Sequence, residues 1–264
     1  MDGWRERIDW DAVAQAQQDV EEAGPAQLYT QMQCLQAFAR GLSRGRKPNE
    51  WEGDEPLSLL QTDLWTESVA RSRQLLEGAL HLAWDRGYFT SYYTTCGVDV
   101  SRRTCVMAAG QTEANIAQAD IRALPFRSGV FDIIFDPSTI DHVPFGEALE
   151  VMEEYSRVLR PGAVLVMVYS HWEGTLREES GESYFAFRPK AVRSHLRHLG
   201  LHVLEEYAVC CLNTQPVGML TSERLHVSGL AYSLFTWLEF TRLSRLLLGR
   251  LASLWVVIAK KQGQ

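Results

Sequence analysis

A doubly wound α/β domain on a mostly parallel, seven-stranded sheet is the fold class this sequence predicts, with a helical N-terminal extension and an insertion before the last strand. Two observations carry the prediction. Short apolar runs such as FDIIF (131–135) and AVLVMVY (163–169) are hydrophobic on both faces, as strands covered by helices must be. Between the runs lie segments with helical spacing, and that alternation implies parallel strands joined by right-handed crossovers.

Taken in order, DWDAVAQAQQDVEEA (9–23) and PAQLYTQMQCLQAFARGL (25–42) have helical spacing, separated by Gly24-Pro25, and SRGRKPNEWEGDEP (43–56) is a polar loop. The first apolar run is LSLLQ (57–61), followed by a helical segment from about residue 64 to 85. A second strand is expected over 92–100, a helix over SRRTCVMAAGQ (101–111) and a third strand over ANIAQAD (114–120). FDIIF leads through PSTIDHV into a helix over 145–159, which Arg160-Pro161-Gly162 should stop, because proline removes a donor and glycine permits a left-handed turn. AVLVMVY, a helix over 189–199, LHVLEEYAV (201–209) and LASLWVVIAKK (251–261) complete the series. This divides the chain into a helical cap (1–55) and an α/β domain (56–264), with 213–250 as a lid insertion.

Composition narrows the function. A formal net charge of −7 argues against nucleic acid as a partner, since such binding relies on clustered Lys and Arg. The five cysteines include no CxxC pair and two are adjacent, which points to free thiols in a reducing compartment and to no metal site. The first residues carry no apolar core of a secretory signal, and no run of roughly 18 apolar residues exists to span a bilayer. A cytoplasmic protein is expected.

In an open parallel sheet, ligands bind beyond the carboxyl ends of the strands. Candidate residues do fall just after the apolar runs: Thr62 and Asp63, then Asp99, then Asp120, then Asp136 through His142. Asp99, in GVDVS (97–101), can accept hydrogen bonds from two vicinal ribose hydroxyls, or cap the helix that begins at Ser101. Asp120 can accept from an exocyclic amino group of adenine, or be a surface turn residue.

With these residues placed, the segments GVDVS, AQADIRALPFRSGVFDIIFDPSTIDHV (117–143) and EALEVMEEYSRVLRPGAVLVMV (147–168) together resemble the class I S-adenosylmethionine-dependent methyltransferases, over about Cys96 to Ser170. In that family a GvD-type segment is followed by aDxxxLPF, an FDxI strand and an RvLrPGG turn. The resemblance implies a Rossmann-like methyltransferase fold, S-adenosyl-L-methionine as cofactor, and a cofactor site built from Thr62, Asp63, Glu67, Asp99, Val100, Asp120, Ile121, Asp136 and Ser138. One departure stands out: the GxGxG loop that follows the family's acidic residue is missing. Either Glu77 in LLEGALHLAW (75–84) holds the acidic position, or Asp63 in LSLLQTDLWTES (57–68) does; the second is preferred, because 64–83 then forms the crossover helix. It resembles a glycine-poor branch of methyltransferase-like proteins with an LKTDLF-type segment.

Methyl transfer from a sulfonium is an in-line displacement, so the protein's main task is to align donor and acceptor. His142 and Asp141 are the candidate general bases, with Asp136 beside them and His171 after the fifth run; Ser138 and Thr139 can contact the methionine portion or the acceptor. Trp4, Trp10, Tyr29 and Phe38 in the N-terminal region, and the apolar insertion with Arg242, Arg245 and Arg250, are expected to shape a small-molecule, hydrophobic or lipid-like acceptor site; the insertion also suits peripheral contact with a membrane surface. The competing expectation is a non-catalytic or repurposed protein of the same fold, with weak or lost cofactor binding.

Overall fold

The structure is a computed structural model that describes residues 9–18, 25–45, 56–64, 93–171, 177–179, 182–209, 252 and 254–263. Its elements are α1 (Trp10–Gln18), α2 (Pro25–Gly45), β1 (Leu57–Gln61), β2 (Tyr93–Asp99), α3 (Arg102–Ala109), β3 (Asn115–Gln118), β4 (Phe131–Pro137), a 3-10 turn (Ile140–His142), α4 (Phe145–Val158), β5 (Leu159–Ser170), a small hairpin of β6 (Arg177–Glu179) and β7 (Glu182–Tyr184), α5 (Pro189–His198), β8 (Leu201–Val209) and β9 (Leu254–Lys261). The expected crossover helix over 64–85, with Glu67 and Glu77, and the insertion over 213–250 lie outside the described residues.

Seven strands form one sheet in the order β3-β2-β1-β4-β5-β9-β8. The five strands β1 to β5 pair in parallel, and β9 runs antiparallel to both β5 and β8. β1 lies between β2 and β4, with Gln61 opposite Gly97 on one side and Phe135 on the other. LSLLQ is therefore the central strand, so Thr62 and Asp63 stand at its carboxyl end, as the preferred of the two sequence readings requires.

Period-two alternation assigns the core to two layers. On one face Leu59, Ile133, Phe135, Val164, Val166 and Val168 pack with Ala37, Phe38 and Leu42 of α2. On the other, Leu60, Ile134, Leu165, Met167 and Tyr169 pack with Val151, Met152 and Tyr155 of α4 and with Val192 and Leu196 of α5. α2 is thus a full layer of the sheet. Gly41 and Gly45, one turn apart, let it approach β5 so closely that an added Cβ would stand 2.2 Å from Val166 Cγ2 or 2.1 Å from Val164 Cγ2. Phe38, expected at an acceptor site, is instead wholly buried with its ring 5.1 Å from that of Phe135. An apolar stripe on a helix reads the same whether it faces a core or a greasy ligand, and here the core claims it.

The helix stops just before Arg160-Pro161-Gly162, as expected, but the tripeptide is not a free turn. α4 ends at Val158, and the tripeptide forms an irregularity within β5, between the pairs Phe131–Leu159 and Ile133–Val164. Gly162 supplies the positive φ of 81° that the bulge needs.

Candidate active site

The carboxyl ends of β3, β2, β1, β4 and β5 form one rim, with neighbouring strands roughly 4.8 Å apart. Asp99 is in register with Gln118, so Asp120 follows two residues beyond its neighbour on β3. Asp136 is in register with Met167, and Ser170 and His171 close β5. The carboxylates expected along this edge are brought together there.

Asp99 is half-buried, and its two oxygens accept from Ser101 N at 2.8 Å and from Leu64 N at 3.4 Å. It is not the helix cap: Ser101 caps α3, its Oγ accepting from Thr104 N at 3.1 Å. Burial pushes the Asp99 carboxyl up to about 6, against the pull of the Ser101 and Leu64 amides. Val100 next to it is 43% exposed, an apolar surface at the rim beside a partly satisfied carboxylate. Leu64 explains the glycine of GVDVS, since a Cβ on Gly97 would lie 2.4 Å from Leu64 Cδ2. Leu64, just after β1, therefore lies against β2.

Asp120 sits where expected but is engaged. Arg122, itself mostly buried, donates from N and Nε to Asp120 Oδ1 and from a terminal nitrogen to Oδ2, each at 2.9 Å, and pairs with Glu147 of α4. Ile121 is buried in the core beside them. The loop that carries these residues is clamped by α4, where Arg157 donates to the carbonyls of Phe126 (2.7 Å) and Leu124 (3.0 Å) and Glu154 accepts from Leu124 N (2.7 Å).

The loop after β4 is the most constrained part of the rim. Asp136 is wholly buried; it accepts from Thr139 N at 2.7 Å, Ile140 N at 3.4 Å and Tyr155 OH at 2.8 Å, and burial pushes its carboxyl up to about 7. Asp141, also wholly buried, accepts on Oδ2 from Ser138 Oγ (2.7 Å), Ser170 Oγ (2.6 Å) and Ser170 N (3.0 Å), and burial holds it at about 6. Between them Ser138 has φ +85°, the one positive φ at a non-glycine among the described residues. Such strain costs of order 1–3 kcal/mol and persists only where its surroundings enforce it. Thr62, buried at the end of β1, meets Thr139 with its Oγ1 2.9 Å from Thr139 Oγ1, tying the two central strand ends together. Asp63 is half-buried beside it.

His142 is half-buried with its ring edge-on to Trp10, centroids 5.1 Å apart. His171, at the end of β5, packs against Trp255 at 4.7 Å. Beyond the rim, Phe145, 39% exposed at the start of α4, lies 5.5 Å from the ring of Phe187, and Phe187 N donates to Ser170 O at 2.9 Å. Sequence reasoning did not single out Tyr155, Ser170, Arg122, Ser101 or Asp11. A serine at the end of an apolar run was the available signal for Ser170, and the short spacings Asp120–Arg122 and Ser101–Thr104 were signals for Arg122 and Ser101; Tyr155 and Asp11 act through contacts made across longer stretches of chain.

The strand order, with its antiparallel β9, is that of the Rossmann-like fold of class I S-adenosylmethionine-dependent methyltransferases. A family model described as a methyltransferase domain matches residues 76–167. The chain is thus similar to these methyltransferases in fold, and over residues 76–167 in sequence. The matched segment begins after β1, so the central strand and its glycine-poor loop lie outside it.

An uncharacterized methyltransferase of Mycolicibacterium gilvum (strain PYR-GCK) is 29% identical over 154 residues, which cover 55% of this chain and 59% of that protein. The chain thus spans under three-fifths of the length of the curated relatives it matches. Among solved structures, a chain in the complex of the Haloferax volcanii Trm112 methyltransferase activator with a methyltransferase aligns over 98% of both chains, with a TM-score of 0.57 and 15% identity. The 1,6-didemethyltoxoflavin-N1-methyltransferase of Burkholderia thailandensis, solved with its substrate and S-adenosylhomocysteine, aligns over 98% of this chain and 88% of its own, with a TM-score of 0.57 and 12% identity. At these identities the likeness is one of fold. Among the described residues no helix is long and apolar enough to cross a membrane.

Proposed function

We propose that the chain is a cytoplasmic methyltransferase that uses S-adenosyl-L-methionine to methylate a small, hydrophobic acceptor. The observation that carries this reading is the pairing of half-buried Asp99 with exposed Val100 at the end of β2. A carboxylate with acceptor capacity left beside a bare apolar side chain fits a nucleoside, the carboxylate taking the ribose hydroxyls and the side chain the face of the base. The strained Ser138 two strands away supports a ligand site at the same rim, since strain of this kind collects at functional loops.

On this reading Asp99 and Val100 hold the adenosyl group, with Asp120 and Ile121 beside the base, while Thr62, Asp63, Glu67 and Ser138 serve the methionine half. Arg122 keeps both Asp120 oxygens oriented. Asp136 acts from beneath, fixing Thr139 and Ile140 so that Ser138 keeps its conformation. Bound there, the cofactor supplies an activated methyl group on a good leaving group. The chain's own residues then have to place the acceptor in line and exclude water. His142 is positioned to take a proton from the acceptor, and Asp141, through Ser138, to steady the loop that presents it. Phe145, exposed beside the buried Phe187 ring, offers an apolar surface that favours an apolar acceptor.

Calorimetric titration with S-adenosylmethionine and S-adenosylhomocysteine tests the reading. Binding is expected, and Asp99→Ala should weaken it at least about tenfold, the scale of a lost charge-assisted hydrogen bond. No heat at millimolar ligand would instead favour a non-catalytic protein of this fold. The observation on that side is the loop after β1, where Thr62 and Leu64 are packed away rather than opening backbone to a ligand.

A further inference from the structure

Two consecutive residues of α1 reach opposite sides of the rim. The Trp10 ring packs edge-on against His142, in the turn after β4. Asp11 Oδ1 accepts from Ser101 Oγ at 2.6 Å and from Arg103 N at 3.0 Å, at the start of α3 beyond β2. In the sheet order β2 and β4 flank β1, so their ends stand about 10 Å apart with the end of β1 between them. Trp10 and Asp11 therefore straddle the strand end that carries Thr62 and Asp63. The first turn of α1 is itself organised for this, since Asp9 Oδ1 accepts from Ala12 N at 3.0 Å, and Ala14 is buried one turn on.

We propose that α1 is a latch over the adenosyl site, Trp10 closing it from above and Asp11 holding the helix down, so that these two residues set how long a nucleoside stays bound. The inference rests on the adenosyl reading of the rim given above. It follows from the segment after β1: TDLWTES carries no glycine to let a ligand approach the backbone, so retention has to come from elsewhere. A helix pinned at both flanking strands supplies it. The Asp11 contact is suited to the task because a carboxylate at the first amides of α3 gains both the hydrogen bonds and the positive end of that helix, yet Asp11 is exposed and can let go. A latch of this kind acts on departure more than on arrival.

The test uses the full chain and S-adenosylhomocysteine as probe. Stopped-flow or surface-plasmon measurements on wild type, Asp11→Ala and Trp10→Ala should show dissociation about tenfold faster in both variants with association little changed. In wild type, hydrogen exchange of the amides over 10–18 should slow when the probe binds, a readout that needs no substitution. Unchanged dissociation in both variants, with unchanged exchange over 10–18, overturns the latch and leaves the adenosyl site standing. A wild-type chain that takes up no S-adenosylhomocysteine overturns the adenosyl reading itself, and the latch with it.

Discussion

The two halves of the rim carry the same residue type in opposite circumstances. After β4, Asp136 and Asp141 are wholly buried, and between them they accept from two backbone amides of their own loop, a tyrosine, two serine hydroxyls and one more amide. After β2 and β3, Asp99 and Asp120 are half-exposed at the surface of the same edge. The first pair builds the loop; of the second, Asp120 is held by Arg122 and Asp99 by two backbone amides. A carboxylate at a strand end is thus a scaffold part or a binding part according to how much chain covers it.

The contrast would break most visibly at Asp136. Asp136→Ala strands the Thr139 amide and the Tyr155 hydroxyl in the core, and each unsatisfied donor costs about 1–3 kcal/mol, so chemical denaturation should show a loss of about 3–5 kcal/mol. Asp99→Ala should be milder in the same assay, because Asp99 is only half-buried and one of its two contacts, to Leu64 N, is long at 3.4 Å. If the two substitutions destabilise equally, the division of the rim is wrong.

Acid separates the halves next. Asp136 at about 7 and Asp141 at about 6 lie above the unfolded aspartate value of roughly 3.9. From about pH 4 to 7 the folded chain holds protons that the unfolded chain has released, so stability falls as pH rises through that window. Thermal midpoints should therefore decline from pH 5 to pH 7.5, and Asp136→Asn, which stays neutral throughout, should flatten the decline.

On the other half, pH should act on the ligand. Asp99, held at about 6, is mostly protonated at pH 5 and ionised at pH 7.5, and the ionised form is the better acceptor for hydroxyls. Affinity for S-adenosylhomocysteine is expected to rise severalfold over that interval in wild type but not in Asp99→Asn. The smallest effect belongs to Val100. Val100→Ala should leave the melting midpoint in place, since the side chain is 43% exposed, and weaken S-adenosylhomocysteine by about threefold or less through lost apolar contact.

Most of the strand series was legible because both-face hydrophobicity is a local property, visible in FDIIF and AVLVMVY without knowledge of their neighbours. The same holds for the edge on which Asp99 and Asp120 lie, since register follows from strand ends. Ser138 was legible as a candidate, but its positive φ was not, because it depends on Asp136 and Asp141 pulling on the loop from both sides. Phe38 was misplaced because spacing tells which side of a helix is apolar and not what that side meets.

By itself, then, the amino-acid sequence determined the succession of strands and helices along the chain and the rim where chemistry gathers, consequences of short-range hydropathy and turn chemistry, while pairing with β2 and β4 decided that LSLLQ is the central strand. Only tertiary packing decided which carboxylates stay near water, which helix became a layer of the sheet, and that Trp10 and Asp11 reach residues about 90 to 130 positions away. Burial and long-range hydrogen bonds depend on which distant segments come to lie together, and no local pattern records that.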